Sequence, residues 1–459
     1  MQRATFRKSL LAVAVAGICG TVQAGGTGDI EVLRKEIREL REMNRKYEER
    51  LQQLEKRLVE TEGKAAQASA PAPASVATAR TAPSQTAYNP EISLILQGRY
   101  LASDFEEKRI PGFLAGGHDE GSPRGFSLDH TELVMSASVD PYFRGYLNLA
   151  IADEEVALEE AWFQTLGLGF GLTLKGGRFL SGIGYVNQQH PHAWDFADQN
   201  LAYQAMFGES YINDGLQLKW IAPASLLVEL GFEAGRGSSF PGSDTNDNGF
   251  GSWSVFAHVG GDVGESHSWR AGASFLTTDA RDREAHTGDV NEVEAETLFT
   301  GDSKIWGLDF VWKWAPDGNP KERNFKFQAE YLKRDEDGEL TCADNSADGG
   351  ACTGIADAYS SAQSGWYAQA VYQFMPRWRV GYRYDRLDPD TPDYGANNDV
   401  IERPDHRPYR HTAMADYSPS EFSRLRLQYT RDETMQDTAD NVWVLQYIMS
   451  LGAHGAHKF

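Results

Sequence analysis

Two histidines separated by one proline, His190-Pro191-His192, precede Asp195 and Asp198. Imidazole and carboxylate are ligands that Zn²⁺ accepts. The segment therefore reads either as a divalent-metal site at His190 and His192 or as a polar constriction without metal. A second set consists of charged residues that alternate with apolar ones. Its bases are Arg99, Arg144, Lys175, Lys219, Lys326, Arg377, Arg379, Arg383, Arg424 and Arg426, and its acids are Glu229, Glu233, Glu330 and Asp385. Rings of charged side chains set selectivity in pores. The same bases also read as structural partners of those acids, and both roles are compatible. Cys342 and Cys352 are close in sequence and, in a secreted chain, predict a disulfide. No Gly-x-Ser-x-Gly nucleophile motif occurs, so the expectation is a non-enzyme with no cofactor and no nucleic-acid partner.

The elements that must position these residues are strands. After the N-terminal region no run of about 18 apolar residues exists, which excludes a helical membrane protein. From residue 88 onward, segments of roughly ten residues alternate apolar with polar. In 377–386, Trp378, Val380, Tyr382 and Tyr384 share one face, while Arg377, Arg379, Arg383 and Asp385 share the other. In 421–431, Leu425, Leu427 and Tyr429 oppose Arg424, Arg426 and Gln428. In 323–333, Phe325, Phe327 and Tyr331 oppose Lys326, Gln328 and Glu330. Short connectors such as Asp140-Pro141 and Met375-Pro376 rotate with long ones at 102–127, 179–212, 278–302, 334–362 and 387–407. Seven turns and eight loops make about 16 antiparallel strands with both ends on the short-turn side. The expected fold class is all-β, a transmembrane antiparallel β-barrel with periplasmic turns. A closed barrel satisfies every backbone group without water.

Three zones precede it. Residues 1–24 read as a signal peptide, with Arg3, Arg7 and Lys8 before the apolar stretch 10–20. Residues 25–62 carry an α-helical coiled-coil segment. Ile30, Ile37, Asn44, Leu51 and Leu58 occupy one seam position, and Leu33, Leu40, Tyr47 and Leu54 the other. Residues 63–87 form an Ala/Pro/Ser-rich linker, and 88–459 the barrel. The stalk is expected in the periplasm. Its Ile/Leu seam favours a dimer, whereas a barrel-linked stalk favours a trimer.

The net charge of −22 suggests a cation channel, but its distribution does not. Residues 1–87 hold 14 Lys/Arg and 10 Asp/Glu, so the excess acid belongs wholly to 88–459. The eight connections sum to −28, leaving strands and turns at about +2. The acid thus belongs to the outer rim, as solvated surface or as ligands for Ca²⁺ or Mg²⁺ at the lipopolysaccharide layer. The third loop, 179–212, is too long and aromatic for a solvent loop, and 194–206 has helical character. It is expected to fold into the lumen, placing His190, His192, Asp195 and Asp198 at a constriction. His454 and His457 read as a metal pair or as polar residues at the periplasmic end.

With the segment ISLILQGRY at 92–100, Gly177-Arg178-Phe179 opening the third loop, the last strand VWVLQYIMSL and the terminal Phe459, the chain resembles Gram-negative outer-membrane porins. The nearest likeness is to the phosphate-selective porin O/P superfamily. The resemblance implies a homotrimer in the outer membrane, inserted by the barrel-assembly machinery, in contact with membrane lipid and lipopolysaccharide, and passing small solutes or ions by diffusion. Carboxylates interrupt the basic ladder, and His457 stands where the family has an aromatic or apolar residue. The competing functions are uptake of a divalent metal such as zinc and an envelope tether acting through the stalk.

Overall fold

The computed structural model describes residues 90–105, 109–114, 123–152, 155–403 and 405–452. The chain divides into two units, 1–82 and 83–459. The signal-peptide, coiled-coil and linker expectations, with His454, His457 and Phe459, lie outside the described residues.

The strands are β1 (Glu91–Ala102), β2 (Gly125–Leu128), β3 (Thr131–Ser138), β4 (Phe143–Ala152), β5 (Glu155–Thr165), β6 (Leu172–Leu180), β7 (Ile212–Ile221), β8 (Leu227–Gly235) and β9 (Ser252–Val263). They continue as β10 (His267–Gly288), β11 (Glu294–Trp314), β12 (Asn324–Cys342), β13 (Ile355–Met375), β14 (Trp378–Asp388), β15 (Tyr409–Ser420), β16 (Ser423–Glu433) and β17 (Asp440–Gly452). β2 and β3 are two halves of one stave. β1 pairs with β2 through Gly98–Leu101 and with β3 through Glu91–Ile95. Sixteen staves result. Every neighbouring pair is antiparallel, and β1 pairs with β17 from Ser93↔Gly452 to Ala102↔Trp443, which closes the barrel and leaves no edge.

The two faces are inverted relative to a water-soluble protein. Large apolar side chains point outward and are exposed, among them Trp306, Leu308, Leu427, Trp443 and Leu445. Arg334, Arg383 and Arg426 point inward and are at most 2 % exposed. In water this arrangement exposes hydrocarbon and buries charge, both unfavourable. In a bilayer it is the expected one. The outward ring pairs Phe275–Trp306, Trp378–Tyr417 and Tyr429–Trp443 have centroids 4.4, 4.7 and 4.8 Å apart.

The expected loops at 278–302 and 334–362 need correction. β10 to β13 contain 22, 21, 19 and 21 residues. At about 3.3 Å per residue each is far longer than the roughly 25 Å apolar band needs. Their outer ends keep the period-two ladder but carry acid, for example Asp335, Glu336, Asp337 and Glu339. Charge marks where lipid ends, not where a strand ends. A second apolar cluster caps this rim, containing Leu114, Phe299, Leu340, Tyr359, Tyr394 and Ile401. Cys342 and Cys352 lie in it, fully buried and disulfide-bonded with Cα atoms 5.6 Å apart. Alkylation of the mature protein is expected to label both only after reduction, and peptide mass mapping checks this.

Candidate functional site

The segment 181–211 between β6 and β7 folds inside the barrel. It contains a helix, α1 (Leu201–Phe207), whose N-cap Asn200 accepts a hydrogen bond from the Tyr203 amide at 3.0 Å. Gly208 ends it in the left-handed conformation, φ +73°. The helix thus begins later than the expected 194–206. Residues 194–200 run irregularly because their backbone groups bond to the wall. Leu201, Ala202, Tyr203, Ala205 and Met206 are at most 1 % exposed and pack with Leu276, Ile305, Leu332, Tyr367 and Leu387 of the wall.

Polar anchors hold this loop on many sides. Glu233 of β8 accepts from the Gly182 amide at 2.8 Å and the Ser181 hydroxyl at 2.5 Å. Glu330 of β12 accepts from the amides of Tyr185 and Val186 at 2.9 and 3.0 Å, and from the hydroxyls of Tyr203 and Tyr367 at 2.8 and 2.5 Å. Asp385 of β14 accepts from the Leu201 amide at 3.0 Å. Arg270 of β10 donates to the Gly184 carbonyl at 2.8 Å, Arg334 of β12 to that of Ala205 at 3.2 Å and Arg426 of β16 to that of Trp194 at 2.7 Å. Backbone groups of an irregular segment at membrane depth are tolerated only when satisfied in this way.

The loop carboxylates pair with four wall cations. Asp195 lies 2.8 Å from Lys326 and 3.0 Å from Arg379, and Arg379 also pairs with Asp416 at 2.6 Å. Asp198 lies 3.0 Å from Arg383 and 3.3 Å from Arg410. Burial alone would raise both acids. Lys326 and Arg379 outweigh it at Asp195, which falls below the usual carboxylate range. Arg383 and Arg410 do so at Asp198, which falls to about 2. A depressed carboxylate stabilises the docked loop fully above its free value of about 3.9. That contribution fades as pH falls through the folded value. Trp194, beside these pairs, reports it. Its emission is expected to hold from pH 7 to about 4 and to shift red only as pH approaches about 2. A red shift complete by pH 5 contradicts the pairing.

The expected wall residues divide. Lys219 pairs with Glu229 at 2.8 Å, Arg383 with Asp385 at 2.9 Å and Arg99 with Asp129 at 2.9 Å. Arg144 donates to the Ser136 hydroxyl at 3.0 Å near the short-turn rim, and Arg424 to the Trp194 carbonyl at 3.3 Å. Lys175 is buried over the Trp162 ring, 4.8 Å from its centroid. Glu233 and Glu330 bind loop donors and neutral wall donors such as Gln217, Ser254 and Tyr367, not wall arginines. Arg377 is a correction. It sits exposed in the β13–β14 turn at φ +73°, because the tight turn after Pro376 takes it out of the wall.

The two histidines are separated from Asp195 and Asp198. They face β3 and β5. His192 Nδ1 lies 2.6 Å from Glu132, and His190 lies 3.1 Å from Glu159 and 2.9 Å from Glu160. Sequence reading missed these glutamates because strict alternation places only one of two adjacent residues inside. A bulge sets Asn148 opposite Glu160 and Leu149 opposite Leu158, leaving Glu159 as the extra residue. A run of Glu-Glu inside a strand was the available signal. Between the loop and β12–β14 remains a void of about 10 Å³, lined by Asp195, Asp198, Gln328, Gln369 and Arg383 among others. Its size is that of about one water.

A closed membrane-spanning barrel with a long loop bonded inside it defines the class. The chain belongs to the same family as an uncharacterized protein of Aquifex aeolicus, to which it is 32 % identical over 409 residues, covering 82 % of this chain and 81 % of that protein. No family model matches the chain. Among solved structures it is similar to OprB of Pseudomonas putida (14 % identity, 80 % of this chain and 94 % of that one, TM-score 0.48). It is also similar to the outer membrane channel DcaP of Acinetobacter baumannii (13 %, 80 % and 99 %, 0.48). A third is the anion-selective porin of Comamonas acidovorans (10 %, 79 % and 99 %, 0.46). At such distances the fold assignment rests on the chain's own hydrogen-bond ladder.

Proposed function

We propose that the protein is an outer-membrane porin through which small hydrophilic solutes or ions diffuse passively, with its pore narrowed by the third loop. The observation that carries this reading is the inside-out chemistry of a closed 16-stave barrel. Its outer face suits hydrocarbon, and its inner face is polar and lined by paired charges. A barrel of this size otherwise leaves an aqueous channel. The pore-lining set is Arg99, Lys219, Glu229, Glu233, Lys326, Glu330, Arg379, Arg383, Asp385, Arg424 and Arg426, with Arg144 at the rim. His190, His192, Asp195 and Asp198 belong to the constriction. The reading includes a homotrimer inserted by the assembly machinery, with lipopolysaccharide against its acidic rim.

Phosphate selectivity is not part of this proposal. Each inward base just named has a carboxylate, hydroxyl or carbonyl partner, so the wall offers no simple anion ladder. Purified folded protein in planar bilayers is expected to give small, resolvable conductance steps. In a salt gradient the reversal potential is expected near zero. Absence of conductance from folded protein refutes the reading.

A further inference from the structure

Three acceptor atoms converge midway along the wall. Glu132 Oε2 lies 3.9 Å from His190 Nδ1, and Glu159 Oε2 lies 3.1 Å from the same nitrogen. All three lie within 4.8 Å of one another. Ligand atoms around a tetrahedral ion with bonds near 2.05 Å are about 3.3 Å apart. The observed spacings bracket that value.

The surroundings prepare these atoms for a cation. Glu160 Oε1 lies 2.9 Å from His190 Nε2. A proton on Nε2 donated to Glu160 leaves Nδ1 as an acceptor, 3.1 Å from Glu159 and 3.9 Å from Glu132. That is the carboxylate–histidine–metal arrangement by which ligating imidazoles are oriented. The other oxygens of the two ligand glutamates are also engaged. His192 Nδ1 is 2.6 Å from Glu132 Oε1, and His130 Nε2 is 2.9 Å from Glu159 Oε1.

A separate observation comes from Asn148, which is fully buried. Its Nδ2 lies 2.9 Å from Glu132 Oε2, 3.2 Å from Glu159 Oε2 and 3.2 Å from His190 Nδ1. The amide is thus aimed into the triangle, and its Oδ1 has no hydrogen-bond partner. Amide nitrogen and oxygen are interchangeable by a flip. With the amide turned over, Oδ1 faces the same three atoms. Four acceptors then meet, an arrangement that a bound cation stabilises.

We propose that His190, Glu132 and Glu159, with Asn148 as fourth ligand, bind one divalent first-row transition-metal ion that pins the third loop to β3 and β5. Two carboxylates balance the ion's charge, and the imidazole favours a transition metal over Ca²⁺ or Mg²⁺. The bulge at Glu159 is what makes the site possible, since it turns both Glu159 and Glu160 inward. Binding here is independent of whether the pore conducts.

The test uses the full mature chain in detergent, stripped with chelator and titrated with Zn²⁺. The expected result is one equivalent bound per chain. Glu159→Gln and Glu132→Gln each weaken binding by more than the roughly 10–100-fold expected of an orienting neighbour. His454→Ala plus His457→Ala leaves it unchanged. Heat-modifiable migration in gels monitors folding. Should a variant fail to fold, X-ray absorption on the unmodified zinc-loaded protein decides, with one imidazole and oxygen ligands expected at about 2.0–2.2 Å. No retained zinc, equal affinity in the folded glutamine variants, or an absorption spectrum without imidazole overturns the proposal.

Discussion

Excising residues 185–207 and bridging the gap with a short Gly/Ser link is expected to raise single-channel conductance by roughly an order of magnitude, because a 16-strand barrel without an inserted segment leaves a water-filled lumen. The effect is large because the loop occupies the lumen instead of fringing it. Its anchors come from β8, β10, β12, β14 and β16, alternate staves that together span roughly half of the wall. The barrel itself survives, since none of its ladder bonds run through 185–207. Wall charges released from the loop, such as Arg379 and Arg383, become hydrated by the incoming water. Heat-modifiable migration checks that the excised protein is folded, and planar-bilayer recording reads the conductance.

Replacing Glu330 with Ala is expected to undock the start of the same loop. This carboxylate is 3 % exposed and is the shared acceptor for two backbone amides and two tyrosine hydroxyls. Its removal orphans buried donors at about 1–3 kcal/mol each. Hydrogen exchange of the amides in 183–207 is expected to accelerate by roughly one to three powers of ten, while strand amides of the wall keep their protection. Glu330→Gln, which keeps one acceptor oxygen, has a smaller effect. Uniform loss of protection across wall and loop would mean that Glu330 supports the barrel instead of the loop.

How much of this was legible depends on which physical rule each part obeys. The staves follow period-two alternation, so Trp378, Val380 and Tyr382 against Arg379, Arg383 and Asp385 already placed the lipid and lumen faces. The count of sixteen follows from the rotation of turns and loops. The outer halves of β10 to β13 were read as loops because Asp and Glu are poor strand residues, yet cross-strand pairing above the membrane carries them. The inward course of the third loop was legible in Tyr203, Met206 and Phe207, which no solvent loop needs. Its anchors were not, because hydrogen bonds between a loop and a distant stave have no sequence period. The histidine partners failed for a sharper reason. Asp195 and Asp198 are near His190 and His192 in sequence but bond to Lys326, Arg379, Arg383 and Arg410, and the bulge at Glu159 breaks the alternation that would have located the true neighbours.

The central claim is that the interior of this barrel is a conducting path whose width the third loop sets. A single cysteine placed at Gln369, inside the wall and within 3.3 Å of Asp195, tests it most directly. A second cysteine placed at Leu308, 60 % exposed on the outer face, is the control. Both variants retain the native disulfide. The account predicts that a small charged thiol reagent reduces the bilayer current of Gln369→Cys in the loop-excised barrel and leaves that of Leu308→Cys unchanged. Current that is insensitive at Gln369, while the loop-excised barrel conducts no better than the intact one, contradicts it.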